Sequence, residues 1–208
     1  MKKILIKSSM LALVLALIGV SASYVYSTTI VQRNLASLTK LARVIFVGKM
    51  ISARDDMLNG RIPYTEYTFE VVEPIKGNLL TRSTFKYRQF GLLQPRDMGN
   101  GKRLALTGKN IAGLPLYQNG ETVLVFLGQA SPQSGLRTTV GLTQGKFSIE
   151  NGMAVNELNN AGLFEGMNAN SARLNNAEKA LLSQKAGPLD AKILIATVKR
   201  AVEHQIFE

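Results

Sequence analysis

The side chains best placed to do chemistry are cations. Residues 77–120 contain Arg82, Lys86, Arg88, Arg96, Lys102, Arg103 and Lys109 against Asp97 alone, seven minus one, or +6 in one segment. Like charge gathered this way attracts an acidic protein, an anionic polysaccharide or anionic lipid and steers its approach. The competing reading is a solvated strand face and loop. The other candidates offer less. His204 is the sole histidine, and it has no partner set for a triad or a zinc site. Asp55 and Asp56 are adjacent acids without the spaced oxygen ligands of a calcium loop. Glu66 and Glu70, on one strand face, stand about 13 Å apart at strand rise, farther than the paired carboxylates of a glycosidase. Gly99-Asn100-Gly101-Lys102 has the look of a phosphate cradle, but Leu104-Ala105 stand where a Walker motif needs Gly-Lys. The chain contains no cysteine, which excludes thiolate nucleophiles, redox dithiols and thiolate metal sites. These residues predict a non-catalytic binding protein with no cofactor and no metal, whose partner-binding residues are the seven cations.

The elements that must carry those cations follow from periodicity. In residues 64–77, Thr65, Tyr67, Phe69 and Val71 alternate with Tyr64, Glu66, Thr68 and Glu70. A period of two predicts a long strand with one core face and one wet face. Val71-Val72 and Pro74 predict that it bulges or ends there. A first strand is expected over residues 44–52, apolar on both sides at its start. It pairs antiparallel with the second through a long polar loop holding Asp55-Asp56 and Asn59-Gly60. In a third strand over 82–90, Phe85 and Tyr87 share one face, and Arg82, Lys86 and Arg88 the other. A glycine-rich connection over 91–120 includes a short strand near 103–106; loops this long in compact domains are usually functional or mobile. Residues 121–128 read as a central strand, followed by strands over 136–142 and 145–149 and an Asn151-Gly152 hairpin turn. A short helix is expected over 32–42. Residues 157–173, rich in asparagine, read as a surface crossing. Asn175 with Glu178 has the form of a capping box opening a helix that runs to Lys185, and a last helix spans 189–204.

The beginning of the chain reads differently. Lys2, Lys3 and Lys7 precede an apolar run over 10–20, and Val20-Ser21-Ala22 ends in small side chains. This is the pattern of a secretory signal peptide cleaved after Ala22; the alternative is a retained membrane anchor, since no charge stands between Lys7 and Arg33. Formal net charge is +11, or +8 once the three leader lysines are subtracted. An exported protein without disulfides relies on its core for stability. The expected organisation is a signal peptide over 1–22, a β-barrel domain over 23–156, and an Asn-rich crossing with C-terminal helices over 157–208 packed on the barrel.

Three stretches carry a resemblance. They are Ala42-Arg43-Val44-Ile45-Phe46-Val47-Gly48-Lys49, Tyr67-Thr68-Phe69-Glu70-Val71-Val72-Glu73-Pro74-Ile75-Lys76-Gly77 and Gly120-Glu121-Thr122-Val123-Leu124-Val125-Phe126-Leu127. In order they resemble the first, second and fourth strands of the netrin and tissue-inhibitor-of-metalloproteinase-like modules, which are secreted OB-barrels. The chain also resembles a group of exported bacterial proteins, in which Gly113-Leu114-Pro115 and Val140-Gly141-Leu142-Thr143-Gln144-Gly145-Lys146-Phe147 would be signature positions. The resemblance implies a mainly β fold: a small OB-like antiparallel barrel of five to six strands, with a short N-terminal helix and one or two C-terminal helices. In the inhibitors an N-terminal cysteine chelates the protease zinc and disulfides frame the module; with neither available here, the fold carries over and that inhibitory chemistry does not.

Function is therefore expected to be recognition of an acidic protein or anionic envelope polymer, in the periplasm or secreted. Contact with the membrane is confined to the signal peptide unless it is retained. Two alternatives are a single-stranded nucleic-acid-binding OB domain and a protease-inhibitor-like module that works without cysteine. The first needs exposed aromatics among the cations, whereas Tyr67, Phe69, Phe85 and Tyr87 fall on the core faces.

Overall fold

The computed structural model describes residues 31–207. The leader residues, the Ala22 cleavage point and residues 23–30 lie outside the described residues. Helix α1 (Leu35–Leu41) precedes strands β1 (Val44–Leu58), β2 (Ile62–Lys76) and β3 (Thr84–Phe90). Strands β4 (Arg96–Asp97) and β5 (Arg103–Leu104) come next, then β6 (Thr122–Leu127), a 3-10 turn (Leu142–Gly145), β7 (Lys146–Glu150) and β8 (Met153–Val155). Helix α2 (Asn176–Leu182), strand β9 (Leu189–Asp190) and helix α3 (Ala191–His204) complete the chain. The fold is mainly β. Seven strands form one sheet in the order β3-β2-β1-β6-β7-β8-β9, and β4 and β5 form a separate ribbon. Every neighbouring pair in the large sheet is antiparallel.

Alternation decides which residues face the core. On β2, Thr65, Tyr67, Phe69 and Val71 are buried and Glu70 is exposed, as the period of two predicts, but Tyr64, expected on the wet face, is buried too, with the Arg88 guanidinium over its ring. The expected irregularity near Pro74 is a pair of bulges rather than an end. Phe46 pairs with Pro74 but Ile45 with Lys76, and Val47 pairs with Glu73 but Gly48 with Val71, which leaves Ile75 and Val72 as extra residues on β2. A third slip between Met50 and Ser52 leaves Ile51 extra on β1. Bulges bend a strand and increase its twist, so β1 and β2 curl. The curl encloses an aromatic core of Phe46, Met50, Tyr67, Phe69, Tyr87, Tyr117, Val123 and Val125. Gly48 allows the Phe46 ring to fold back over its own strand: a Cβ there would lie 2.6 Å from that ring.

The opposite face of β1 and β6 carries a second core. Ile45, Val47, Leu124 and Phe126 pack with Leu35 and Leu38 of α1 and with Leu194 and Val198 of α3. A β1 apolar on both sides thus has both sides covered. The helices are capped as their sequences suggest. The Asn175 side chain accepts from the Glu178 amide while Glu178 accepts from the Asn175 amide, and Asp190 accepts from the Ile193 amide at 2.9 Å.

Four expectations are corrected. First, β1 continues to Leu58 and the long loop shrinks to a tight turn at Asn59 and Gly60, both left-handed with φ of 52° and 67°. The acids that suggested a loop are absorbed across the ladder: Thr65 donates to Asp55 at 2.8 Å and Tyr64 to Asp56 at 3.2 Å. Second, residues 136–142 do not form a strand. They make isolated bridges, Leu136 with Arg88 in parallel and Thr139 with Leu127 antiparallel, and the left-handed Gly141 and Leu142 then divert the chain into the 3-10 turn. Third, residues 157–173 do more than cross the surface, because Leu163 and Phe164 enter the second core. Asparagine makes this possible by bonding nearby backbone and tolerating left-handed conformations. Asn160, 1% exposed, donates to the carbonyls of Ala154 and Gly187 and accepts from the Asn156 amide. Fourth, α2 ends at Leu182 rather than Lys185, and Leu189 and Asp190 pair with β8 before α3 begins. Among the described residues the strand order runs from β3 to β9 in one antiparallel sheet.

Candidate anion-recognition surface

The wet face of β1, β2 and β3 is built in rows of cross-strand neighbours. Ser52, Thr68 and Lys86 form one row; Arg54, Glu66 and Arg88 the next; Asp56, Tyr64 and Phe90 the third. Alternation puts all nine side chains on one side, opposite the aromatic core. Arg54, Asp56, Tyr64, Glu66 and Arg88 line a shallow cleft of about 130 Å³. Arg88 Nε donates to Glu66 Oε2 at 2.9 Å, and its guanidinium sits 5.0 Å from the centre of the Tyr64 ring. Arg54 lies 3.8 Å from Asp56. The Met57 amide, above all, holds the Asp56 carboxyl below its ordinary range. The Tyr64 hydroxyl and the Arg54 and Arg96 guanidiniums act in the same direction, against an opposing effect of burial.

All seven cations singled out in the sequence are exposed. They do not form one cluster. Arg88 is committed to Glu66. Lys86 neighbours it on the same face, with Thr68 rather than an acid opposite. Arg96 opposes Leu104 and Arg103 opposes Asp97 in the β4–β5 ribbon, where Met98 N donates to the Lys102 carbonyl at 2.9 Å to close the tip. Met98 and Leu106 are exposed apolar side chains on and beside this ribbon. Lys109 lies farther along the same connection, on an exposed turn. Arg82 is separate: it occupies a left-handed turn with φ of 62° at the opposite end of β3, six residues from Arg88, which is roughly 20 Å at strand rise.

Asp55 fixes the ribbon's root. Its carboxylate accepts from the Leu93 amide at 2.9 Å, the Gln94 amide at 3.2 Å and Thr65 Oγ1 at 2.8 Å. It is thus an anchor for the connection rather than a half of a cation site. Glu66 is likewise occupied, and His204 is exposed at the end of α3 beside Glu203, 3.7 Å away. Among the described residues no group of three His, Cys, Asp or Glu stands together. No helix among them is long and apolar enough to cross a membrane.

Comparison with protein-family models, curated proteins and solved structures finds no match for this chain. Assignment of a function rests on its own geometry.

Sequence reasoning missed Arg54. Continuing the alternation Ser52, Arg54, Asp56 past the supposed end of β1 would have found it. It also missed the pair that anchors the far end of the long connection. Lys146, on β7, reaches Glu121 Oε1 at 2.6 Å and donates to the Leu116 carbonyl at 2.9 Å, while its ammonium lies 5.3 Å from the centre of the Tyr117 ring. Glu121 also accepts from Ser148 Oγ and from the Gln118 amide.

Proposed function

We propose that the protein is an exported, non-catalytic binding module that recognises an acidic protein or anionic envelope polymer through the outer face of β3 and the β4–β5 ribbon. The observation that carries this reading is a group of exposed cations without ion-pair partners. Most nearby acids are engaged: Asp55 with the Leu93 and Gln94 amides, Asp56 with Met57 and Tyr64, Glu66 with Arg88, and Asp97 with the Gly99 amide; Glu70, exposed on the same face of β2 and diagonal to Lys86, is the acid left over. Lys86, Arg96, Lys102 and Arg103 form no ion pair among the described residues. Unbalanced like charge opposes the compact state and draws an anionic partner. The stacking that single-stranded nucleic acid needs is poorly served here, because Tyr67, Phe69 and Tyr87 are buried and Phe90 is the aromatic left exposed.

An OB-type barrel is the architecture we propose for this scaffold. Three features support it: β1 pairs with both β2 and β6, the 136–139 segment is antiparallel to β6 at Leu127, and the same segment is parallel to β3 at Arg88. The Arg137 amide donates to the Arg88 carbonyl and the Gly128 amide to the Thr138 carbonyl, each at 2.9 Å. These bonds would complete the ring β1-β2-β3-(136–139)-β6. The outer face of the second and third strands is where OB-folds bind polymers.

Charge reversal separates binding from stability. The variant Lys86→Glu/Lys102→Glu/Arg103→Glu leaves the Arg88–Glu66 pair intact. It is expected to elute from immobilised heparin at clearly lower salt than the parent, since rim charges set on-rate and salt dependence. Its melting temperature is expected to move by less than about 4 °C, the shift for ~1 kcal/mol in a chain of this size. Unchanged elution with a lowered melting temperature would make this face structural. Export rests on Lys2, Lys3, Lys7 and the apolar run before Ala22. N-terminal sequencing of protein recovered outside the cytoplasm is expected to begin at or near Ser23; an intact Met1 in the membrane fraction would contradict cleavage.

A further inference from the structure

The core enclosed by the curled sheet is not wholly apolar. Tyr87 Oη, Tyr117 Oη, Gln89 Oε1, Arg137 Nη1 and Thr138 Oγ1 are buried with no hydrogen-bond partner among the described residues. Tyr87, Gln89 and Tyr117 are each at least nine-tenths buried. Tyr87, Gln89, Tyr117 and Arg137 come from three segments that meet along β3. The Tyr87 and Tyr117 rings meet edge to face, with centroids 6.2 Å apart. Gln89 Nε2 donates to the Pro115 carbonyl at 2.9 Å, which fixes the approach to Tyr117 against β3. The Arg137 amide bonds to Arg88, the residue between Tyr87 and Gln89.

The chemistry of the set is one-sided. Both phenols, the Thr138 hydroxyl and the Arg137 guanidinium can donate; only the Gln89 oxygen is restricted to accepting. An unpaired buried donor costs about 1–3 kcal/mol, and more when charged. No carboxylate forms an ion pair with Arg137 among the described residues. Burial draws the Arg137 guanidinium down from its ordinary value, and the neighbouring Tyr87 opposes this. Burial pushes the Tyr87 phenol up, and the Tyr117 hydroxyl, near enough for a weak contact between the two, adds to this, so Tyr87 stays neutral and its hydroxyl faces the same space as that of Tyr117.

We infer that this end of the core, between Tyr87, Tyr117 and Arg137, is a binding site for a small monovalent anion of halide size, held by the guanidinium and the two phenols. The site is independent of the outer basic face, which lies on the other side of β3.

The test replaces gluconate by chloride, and in a second series by bromide, at constant ionic strength, and follows the melting temperature of the full mature protein. Halide is expected to raise it saturably, as a ligand bound by the native state must. Tyr87→Phe and Tyr117→Phe each remove one hydroxyl and no carbon, and each is expected to weaken halide binding about tenfold, the loss of one hydrogen bond to a charged group. Arg137→Met should abolish it; should that variant not fold, the two Phe variants and a bromide soak decide. Anomalous scattering from bromide is expected within hydrogen-bond distance of Arg137 Nη1. No halide dependence, a dependence in both Phe variants unchanged from the parent's, or bromide found only on the outer surface would overturn the proposal and leave the site to ordered water. The charge-reversal variant on β3 and the ribbon should keep the full halide response, so the two proposals fail separately.

Discussion

Lys146→Met is expected to lower stability by about 3–5 kcal/mol, the usual result of removing one partner from a buried ion pair. That is a fall of roughly 6–20 °C in melting temperature for a chain of this length. The Lys146 side chain is 8% exposed and that of Glu121 15% exposed, so little solvent replaces the lost contact. The substitution strands Glu121 with only Ser148 and the Gln118 amide, frees the Leu116 carbonyl, and removes the cation from the Tyr117 ring. These contacts hold the end of the long connection to β7, so fraying should begin there. Glu121→Gln alone should also destabilise. The double variant should cost clearly less than the sum, because neither charge is then left buried and unpaired. Chemical denaturation of the four proteins gives the coupling directly; additive losses would mean the two side chains act independently.

The second large effect is expected at Gly145, the last residue of the 3-10 turn. A Cβ there would lie 2.3 Å from the Val140 carbonyl oxygen and 3.2 Å from both the Val140 nitrogen and Thr139 Cβ. Two of those atoms are backbone and cannot rotate away. Retreat of Val140 would break its amide's 2.8 Å bond to the Phe126 carbonyl and loosen Thr139, whose hydroxyl donates to the Leu142 carbonyl at 2.6 Å. Gly145→Ala should therefore cost about 3 kcal/mol, at the upper end of overpacking. Gly152→Ala is the control: its Cβ meets open space, but its φ of 78° is left-handed, so a cost of about 1 kcal/mol is expected. A loss at Gly145 no larger than that at Gly152 would show that residues 139–140 yield to the added methyl.

What was legible in the chain is what local pattern encodes. The faces of β2 and β3, the two-sided β1 and β6, the Asn151-Gly152 turn and the Asn175–Glu178 capping box all follow from neighbours a few residues apart. The end of β1 was not legible, because Arg54, Asp55 and Asp56 look like loop until Glu66, Thr65 and Tyr64 stand opposite them. Burial of Asn160 was hidden for a similar reason, since its partners lie at Ala154 and at Gly187, the latter 27 residues away. For the candidate surface, sequence correctly put Lys86 and Arg88 on a wet face opposite Phe85 and Tyr87. It could not show that Arg88 is neutralised by Glu66, that Arg82 stands apart, or that Arg54 joins the face. Arg137 gave no signal, since the covering of its guanidinium nitrogen depends on a segment that bridges two strands without becoming one.

The central claim is that an anionic partner meets the outer face of β3 and the β4–β5 ribbon, and residue-resolved mapping tests it most directly. A short heparin oligosaccharide is titrated into isotopically labelled mature protein and amide chemical shifts are followed. Binding at this face predicts the largest changes at Lys86 and Arg88 and at Arg96, Lys102 and Arg103, fading as salt rises. Largest changes on α3 around Lys192 and Lys199, or changes spread evenly over all exposed lysines and arginines, would contradict it.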